Sequence, residues 1–216
     1  EGGQIVEITL MFQRLMGGAR IDVNAATAVP GLFAAGEASG GIHGGDRMQG
    51  CGFLETQTFG RIAGQSAAQR AKSVDLPALD PAAVAAEAER LARSTGTQDP
   101  AALFEKVREI MWAQAGVVSN HAQLTDAIAK FQHIQRIAAS DIDQSDLTAA
   151  EELRNLALTA ELVATAKLAR EETRSGHGRT DFPQEDPAWV RHVRLANAGN
   201  GQVAVDSIPV VELADA

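Results

Sequence analysis

Between Gly36 and Gly60 the chain reads GEASGGIHGGDRMQGCGFLETQTFG, and three side chains in it can do chemistry. Glu37 follows the apolar run GLFAAG, which predicts a strand with Glu37 just past its carboxyl end. In doubly wound sheets ligands lie beyond that end, where a carboxylate can accept hydrogen bonds from sugar-like hydroxyls. Gly36, directly before it, lets the backbone come close to a ligand. Arg47 lies in mid-loop, where a guanidinium can grip a carboxylate through two parallel hydrogen bonds. His43 can donate to a ligand, transfer a proton or brace the loop; the residue types leave these open.

The glycines decide what kind of segment this is. Gly40, Gly41, Gly44, Gly45, Gly50 and Gly52 are too dense for a helix or strand. A helix is expected to open near Gly52–Leu54. Its free N–H groups and positive dipole end would favour an anion or an electron-rich carbonyl. The competing reading is a slack linker. Against it, the loop joins two elements that both read as buried.

Three regions must position these groups: residues 1–76, 77–175 and 176–216. In the first, QIVEITLMF at 4–12 reads as a strand, with further short strands around 19–23 and 31–35. After the loop, Phe53, Leu54, Phe59, Ile62, Ala63 and Ala67 can share one helical face. Gly60 and Gly64 weaken that helix and imply close packing against it. In the second, Asp80-Pro81 and Asp99-Pro100 read as helix starts, and Gly96 and Gly116 as stops. Leu124, Ile128, Phe131 and Ile134 mark another helix, and Leu153, Leu156, Leu158, Leu162 and Val163 the longest. Three or four antiparallel helices with short links form a small bundle. The third region contains QVAVDSIPVVEL, a short hairpin or edge pair, with Pro209 at an edge. The fold class is α+β.

Composition excludes several functions. With a net charge of −9 and no Lys/Arg cluster, nucleic acid is not a partner. There is no apolar run of roughly 18 residues to span a membrane. Cys51, the only cysteine, can form no disulfide within the chain and leaves no Cys-based zinc site. It reads as a small loop residue, and no metal site is expected. The start, EGGQIVEI, has no methionine, which suggests an excerpt, a processed product or a trimmed chain.

Taken together, the motifs resemble the C-terminal part of the succinate dehydrogenase/fumarate reductase flavoprotein family, which includes L-aspartate oxidase. The resemblance rests on Met16–Gly18, Pro30–Glu37, His43–Cys51 and Phe59–Gly64, and on the later EETRSGHGRTDFPQEDPAWVRH. It implies that 1–76 is the C-terminal portion of an FAD-binding α/β domain, 77–175 a helical bundle domain and 176–216 a tail with short strands. By resemblance, Gly36 and Glu37 hold the ribityl chain of FAD, and the backbone at Gly52, Phe53 and Leu54 faces the N1/C2 carbonyl edge of the flavin. Arg47 holds a substrate carboxylate, with Gln13, in place of a family histidine, and His43 beside it. Asp46 stands where the family has asparagine. No catalytic residue is assigned, because the proton-donating arginine and the flavin-linking histidine of the family lie upstream. So does the Gly-x-Gly-x-x-Gly cradle, which 1–216 lacks.

The function implied is FAD-dependent oxidoreduction, with hydride passing between flavin and a carboxylate substrate. Two alternatives remain: a flavoenzyme with another substrate, such as a sulfur-containing one, or a non-catalytic assembly fragment. The implied partners are the remainder of the flavoprotein, on the same or a separate chain, a small carboxylate substrate and an iron–sulfur electron-transfer subunit. The implied location is cytoplasmic or at the cytoplasmic face of a membrane complex.

Overall fold

The computed structural model describes residues 14–76, 78–92, 96–199 and 201–210. The strand expected at 4–12 lies outside them. The chain divides into two compact units, residues 1–76 and 77–216.

In the first unit, β1 (Ala19–Arg20) pairs in parallel with β2 (Ser39–Gly40), Ala19 opposite Ser39. Two glycines make the approach feasible. A Cβ on Gly18 would fall 2.6 Å from the Ala38 carbonyl oxygen, and one on Gly40 would fall 2.7 Å from the Gly18 nitrogen. β1 is shorter than the expected 19–23 strand because Asp22 turns the chain. Its Oδ1 accepts the N–H groups of Asn24 and Ala26 at 2.8 and 2.9 Å, an Asx turn. These bonds also hold the Asp22 carboxyl below its ordinary pKa.

The apolar run at 31–35 is not the buried strand its pattern predicts. Val29, Pro30, Gly31 and Leu32 form a turn closed by Leu32 N–H to the Val29 carbonyl at 3.0 Å. Proline followed by a glycine at φ +90° suits the two central positions of a type II turn. Phe33 then makes a single antiparallel bridge to Ala26. Val29 and Leu32 are exposed at the turn.

A short 3-10 turn, Gly36–Ala38, leads through β2 and the glycine loop into α1 (Cys51–Ala71). The expected face of α1 is only half-buried at Phe59, Ile62, Ala63 and Ala67, and Phe53 and Leu54 point outward. Gly60 and Gly64 meet open space rather than the close packing their presence implies.

The second unit is built on α2 (Pro81–Ala92), α3 (Pro100–Gln114), α4 (His121–Ser140) and α5 (Leu147–Ala169). Aspartates start three of them: Asp80, Asp99 and Asp146 accept N–H bonds from Ala82, Ala101 and Ala149. Asn120 and Gln123 close a reciprocal capping box on α4. The core lies among α3, α4 and α5, where Val107, Ile110, Leu124, Phe131, Ile134 and Leu153 are buried. Each buried side chain of this size contributes about 1.5–3 kcal/mol. Buried alanines at 150, 157, 160 and 164 leave room for α4 to lie close to α5. The buried Glu161 crosses that seam, accepting from Gln132 and Gln135, each at 2.7 Å. α2 buries no side chain.

Beyond α5 the chain is held by charge. Arg179 is buried and donates to the carbonyls of Lys167, Leu168 and Arg170, the last turn of α5. The same guanidinium forks onto Asp181 at 2.8 Å twice, and Asp181 accepts the His121 N–H at the start of α4. One arginine–aspartate pair therefore ties the negative end of α5 to the positive end of α4. Alongside, β3 (Val118–Ser119) pairs in parallel with β4 (Gly178–Arg179). Glu172, fully buried, pairs with Arg170 and Arg174 and accepts the Asp186 N–H. Burial raises its pKa, but the Arg174, Asp186 and Arg170 hydrogen bonds outweigh this and bring it to about 2. Burial also lowers His177 to about 4 and Lys167 to about 8.

The unit ends in a hairpin of β5 (Arg191–Gly199) and β6 (Gln202–Pro209). The hairpin expected within QVAVDSIPVVEL is instead shared: QVAVDSIP is one strand, β6, and its partner lies upstream. Its partner RHVRLANAG does not read as a strand in the sequence, because charged residues interrupt its apolar alternation. Among the described residues no helix is long and apolar enough to cross a membrane.

Candidate functional site

The candidate residues gather where the glycine loop meets the start of α1. Gly36 takes φ +70°, a conformation glycine adopts without strain. It sets off the turn that presents Glu37, whose side chain is exposed and whose Oε1 accepts the Leu15 N–H at 2.7 Å.

Glu55, one turn into α1, anchors this arrangement from below. It is 8% exposed, so its carboxylate needs internal partners. Oε1 accepts the Gly36 N–H at 3.0 Å and lies 3.3 Å from the Ser39 hydroxyl, which is also 2.9 Å from the Gly36 carbonyl. His43 Nε2 is 3.9 Å from Glu55 Oε2, and this buried nitrogen has no hydrogen-bond partner. His43 thus faces the loop's anchor.

Arg47 lies against the first turn of α1. A Cβ on Gly52 would fall 1.4 Å from Arg47 Nη1 and 2.4 Å from Cζ, so the guanidinium occupies the space that glycine leaves. Among the described residues no carboxylate forms an ion pair with it. The adjacent acid, Asp46, is engaged elsewhere: its Oδ1 accepts from Arg14 Nη2 and from the Arg47 N–H, both at 2.8 Å. Arg14 Nη2 also donates to the Arg47 carbonyl at 2.7 Å. The Arg14 bond, then the Arg47 N–H, hold the Asp46 carboxyl below its ordinary pKa. A cation therefore stands over the positive end of a helix, two groups that both attract an anion.

The Phe53 and Leu54 N–H groups turn back to the Gly50 carbonyl at 3.2 and 3.5 Å, and both side chains are exposed. Gln13 lies outside the described residues. The structure thus brings Arg47 to Gly52, Gly36 to α1 through Glu55, and His43 to Glu55. Glu37 is tied instead to Leu15. Sequence reasoning missed Glu55 and Arg14. An acid one turn into the helix was the available signal for Glu55; Arg14, beside the Met-Gly-Gly turn, had none.

An FAD binding domain model matches residues 6–53, so the first unit is part of a flavoprotein. A second model, Fumarate reductase flavoprotein C-term, matches residues 104–213. The chain belongs to the succinate dehydrogenase/fumarate reductase flavoprotein family, whose members are FAD-dependent oxidoreductases. It is 35% identical over 198 residues to a fumarate reductase (CoM/CoB) chain of Methanothermobacter marburgensis, covering 88% of this chain and 36% of that protein. It is similar to a Mycobacterium smegmatis Sdh1 complex in the apo form, at TM-score 0.80 and 31% identity, over 93% of this chain and 36% of that one. A quinol-fumarate reductase solved with menaquinol molecules gives TM-score 0.81 at 26% identity, over 92% and 37%. The chain spans about a third of the length of these relatives.

The residues present fit the family's cofactor. Gly36, itself buried against α1, sets the turn that presents the exposed Glu37 carboxylate, and the side chains of Phe53 and Leu54 in the first turn of α1 are exposed.

Proposed function

We propose that this chain forms the carboxylate-facing wall of a flavoenzyme in which hydride passes between flavin and a small carboxylate substrate. The observation that carries the reading is Arg47: an arginine without an acidic partner among the described residues, laid over the glycine that opens α1. Bound FAD would supply the two-electron chemistry. The chain's own residues would do the holding. Glu37 would accept hydrogen bonds from the ribityl chain, beside a Gly36 backbone that allows close approach. The backbone at Gly52–Leu54 would face the flavin's N1/C2 edge, where the positive end of α1, rather than the Phe53 and Leu54 N–H groups already turned to the Gly50 carbonyl, would favour the negative charge of the reduced ring. Arg47 would fix the substrate carboxylate and so orient the reacting carbon. Gln13 and His43 would complete the carboxylate's surroundings, His43 braced toward Glu55.

Partners follow from what these residues leave out. Val29, Leu32, Met48, Phe53 and Leu54 are exposed apolar side chains in the first unit, which suits cover by the remainder of the flavoprotein. Cys51, the one cysteine of these 216 residues, cannot by itself ligate an iron–sulfur cluster, and an iron–sulfur electron-transfer subunit is proposed as the further partner. A cytoplasmic site, or the cytoplasmic face of a membrane complex, suits that arrangement. The domain reading of 1–76, 77–175 and 176–216 is proposed on the same basis.

The test is titration of the FAD-loaded flavoprotein carrying this chain with succinate and fumarate, following flavin absorbance. Spectral reduction by succinate or reoxidation by fumarate is expected, and loss of dicarboxylate binding in Arg47→Ala. Normal binding in Arg47→Ala overturns the carboxylate role.

A further inference from the structure

We propose that Arg14 is a positioning residue for substrate binding, taking Asp46 out of competition for Arg47. This rests on the carboxylate-binding reading above. An aspartate next in sequence to a substrate-holding arginine is a built-in rival ligand. A free Asp46 side chain could turn onto the Arg47 guanidinium and occupy the donors a substrate needs. The geometry prevents this in two ways. Arg14 Nη2 binds Asp46 Oδ1 at 2.8 Å, and the same oxygen caps the Arg47 N–H, so the carboxylate is turned to the backbone side of the loop. Arg14 Nη2 also binds the Arg47 carbonyl at 2.7 Å, fixing the backbone from which the guanidinium extends. Arg14 is the less exposed partner, at 20% against 62% for Asp46. The inner residue of the pair is therefore the cation, and the acid lies on the solvent side. Of the three charges, Arg14 and Asp46 cancel and Arg47 is left to face an anion.

The ligand class is a small carboxylate, and succinate is the probe. Calorimetric and flavin-absorbance titrations of the FAD-loaded flavoprotein would compare wild type, Arg14→Met, Asp46→Asn and the double variant. Arg14→Met releases Asp46 and is expected to weaken succinate binding at least about fivefold, one charge-assisted contact being lost to the rival acid. Asp46→Asn keeps an oxygen to cap the Arg47 N–H, removes the charge that balances Arg14 and so leaves one more positive charge beside the ligand, and is expected to tighten binding by roughly threefold. The double variant should return close to wild type, a rescue that a merely structural Arg14 would not give. Arg14→Met binding like wild type, a double variant as weak as Arg14→Met, or weaker binding in Asp46→Asn each overturns the proposal. Asp46→Asn alone decides the matter if Arg14→Met fails to fold. Should wild type bind no succinate, both this inference and the carboxylate reading fall. Should Arg47→Ala abolish binding while Arg14→Met does not, only this inference falls.

Discussion

Gly52→Ala should separate stability from binding. A methyl group at this position would sit 1.4 Å from Arg47 Nη1, 2.4 Å from Cζ and 3.2 Å from Nε. No pair of atoms tolerates the first two distances, so one partner must leave. The backbone of α1 will not, because Gly52 has no positive φ and alanine suits a helix better. Replacing glycine in a helix interior gains up to about 1 kcal/mol, and a first-turn position gains about half of that. The guanidinium, at the far end of a flexible side chain, is what moves. A hydrogen bond to a charged group contributes about 1.5–3 kcal/mol, so losing its alignment should raise the succinate Kd roughly 10- to 150-fold. Calorimetry and thermal melting on the same FAD-loaded sample would read both effects. The expected result is an unchanged or higher melting temperature with much weaker binding. Adding Arg47→Ala to Gly52→Ala should then cost little more, because both changes remove one contact. An unaltered Kd in Gly52→Ala would refute the placement of Arg47 as the carboxylate clamp.

Three further outcomes can be checked. Gly18→Ala drives a methyl to 2.6 Å from the Ala38 carbonyl oxygen and the Ser39 carbonyl carbon. Both are backbone atoms, so β1 and β2 must part, with an expected loss of about 1–3 kcal/mol and faster amide exchange around Ser39–Gly40. Glu172→Gln takes the charged acceptor from Arg170 and Arg174, whose own side chains are partly exposed, and should lower stability by about 1–3 kcal/mol in urea melts. His177 titrates at about 4 when folded, against an ordinary 6.5, because burial disfavours its charged form and Lys167 repels it. The unfolded chain therefore takes up this proton first, and stability falls as pH drops from 6.5 to 4. The shift corresponds to at most about 3 kcal/mol, reduced to about 2 by solvent at the half-buried ring. His177→Gln should flatten this part of the pH–stability curve, and an unchanged slope would count against the buried neutral imidazole.

Local chemistry made much of the fold legible. Asp80, Asp99 and their prolines start helices as their residue types require, and the stripes of α3 and α4 point into the core with Leu153 and Leu156 of α5, whereas Leu158 of the expected stripe is exposed. The site was legible as a set of residue types, because glycine density, a mid-loop arginine and a helix start each carry their own physics. The failures have equally local causes. Val29–Phe33 is apolar enough for a strand, but Pro30-Gly31 imposes a type II turn that hydrophobicity does not register. The partner of β6 hid behind Arg191, His192 and Arg194, because an exposed hairpin needs little apolar alternation. Glu55 and Arg14 were invisible for a deeper reason. Their importance is relational. Glu55 matters through Gly36, 19 positions back, and Arg14 through Arg47, 33 positions on, and no single-sequence pattern reports such a pairing.

That relational chemistry also explains how a site suited to anions tolerates Asp46 in its loop and Glu55 in the helix beneath it. A carboxylate near an anion site opposes ligand binding only if its charge is left uncompensated. Glu55 is used up on the Gly36 N–H and Ser39 hydroxyl, with His43 Nε2 at 3.9 Å. Asp46 is used up on Arg14 and the Arg47 N–H. Each acid thus shapes the backbone that presents a neighbour, Glu55 for Glu37 and Asp46 for Arg47. Removing the two acids consequently has unlike effects. Asp46→Asn preserves the cap and should favour the anion, whereas Glu55→Ala leaves the Gly36 N–H without its acceptor and should disorder the turn that carries Glu37. The two acids can be told apart by that contrast: one variant tightens carboxylate binding, and the other loosens flavin retention.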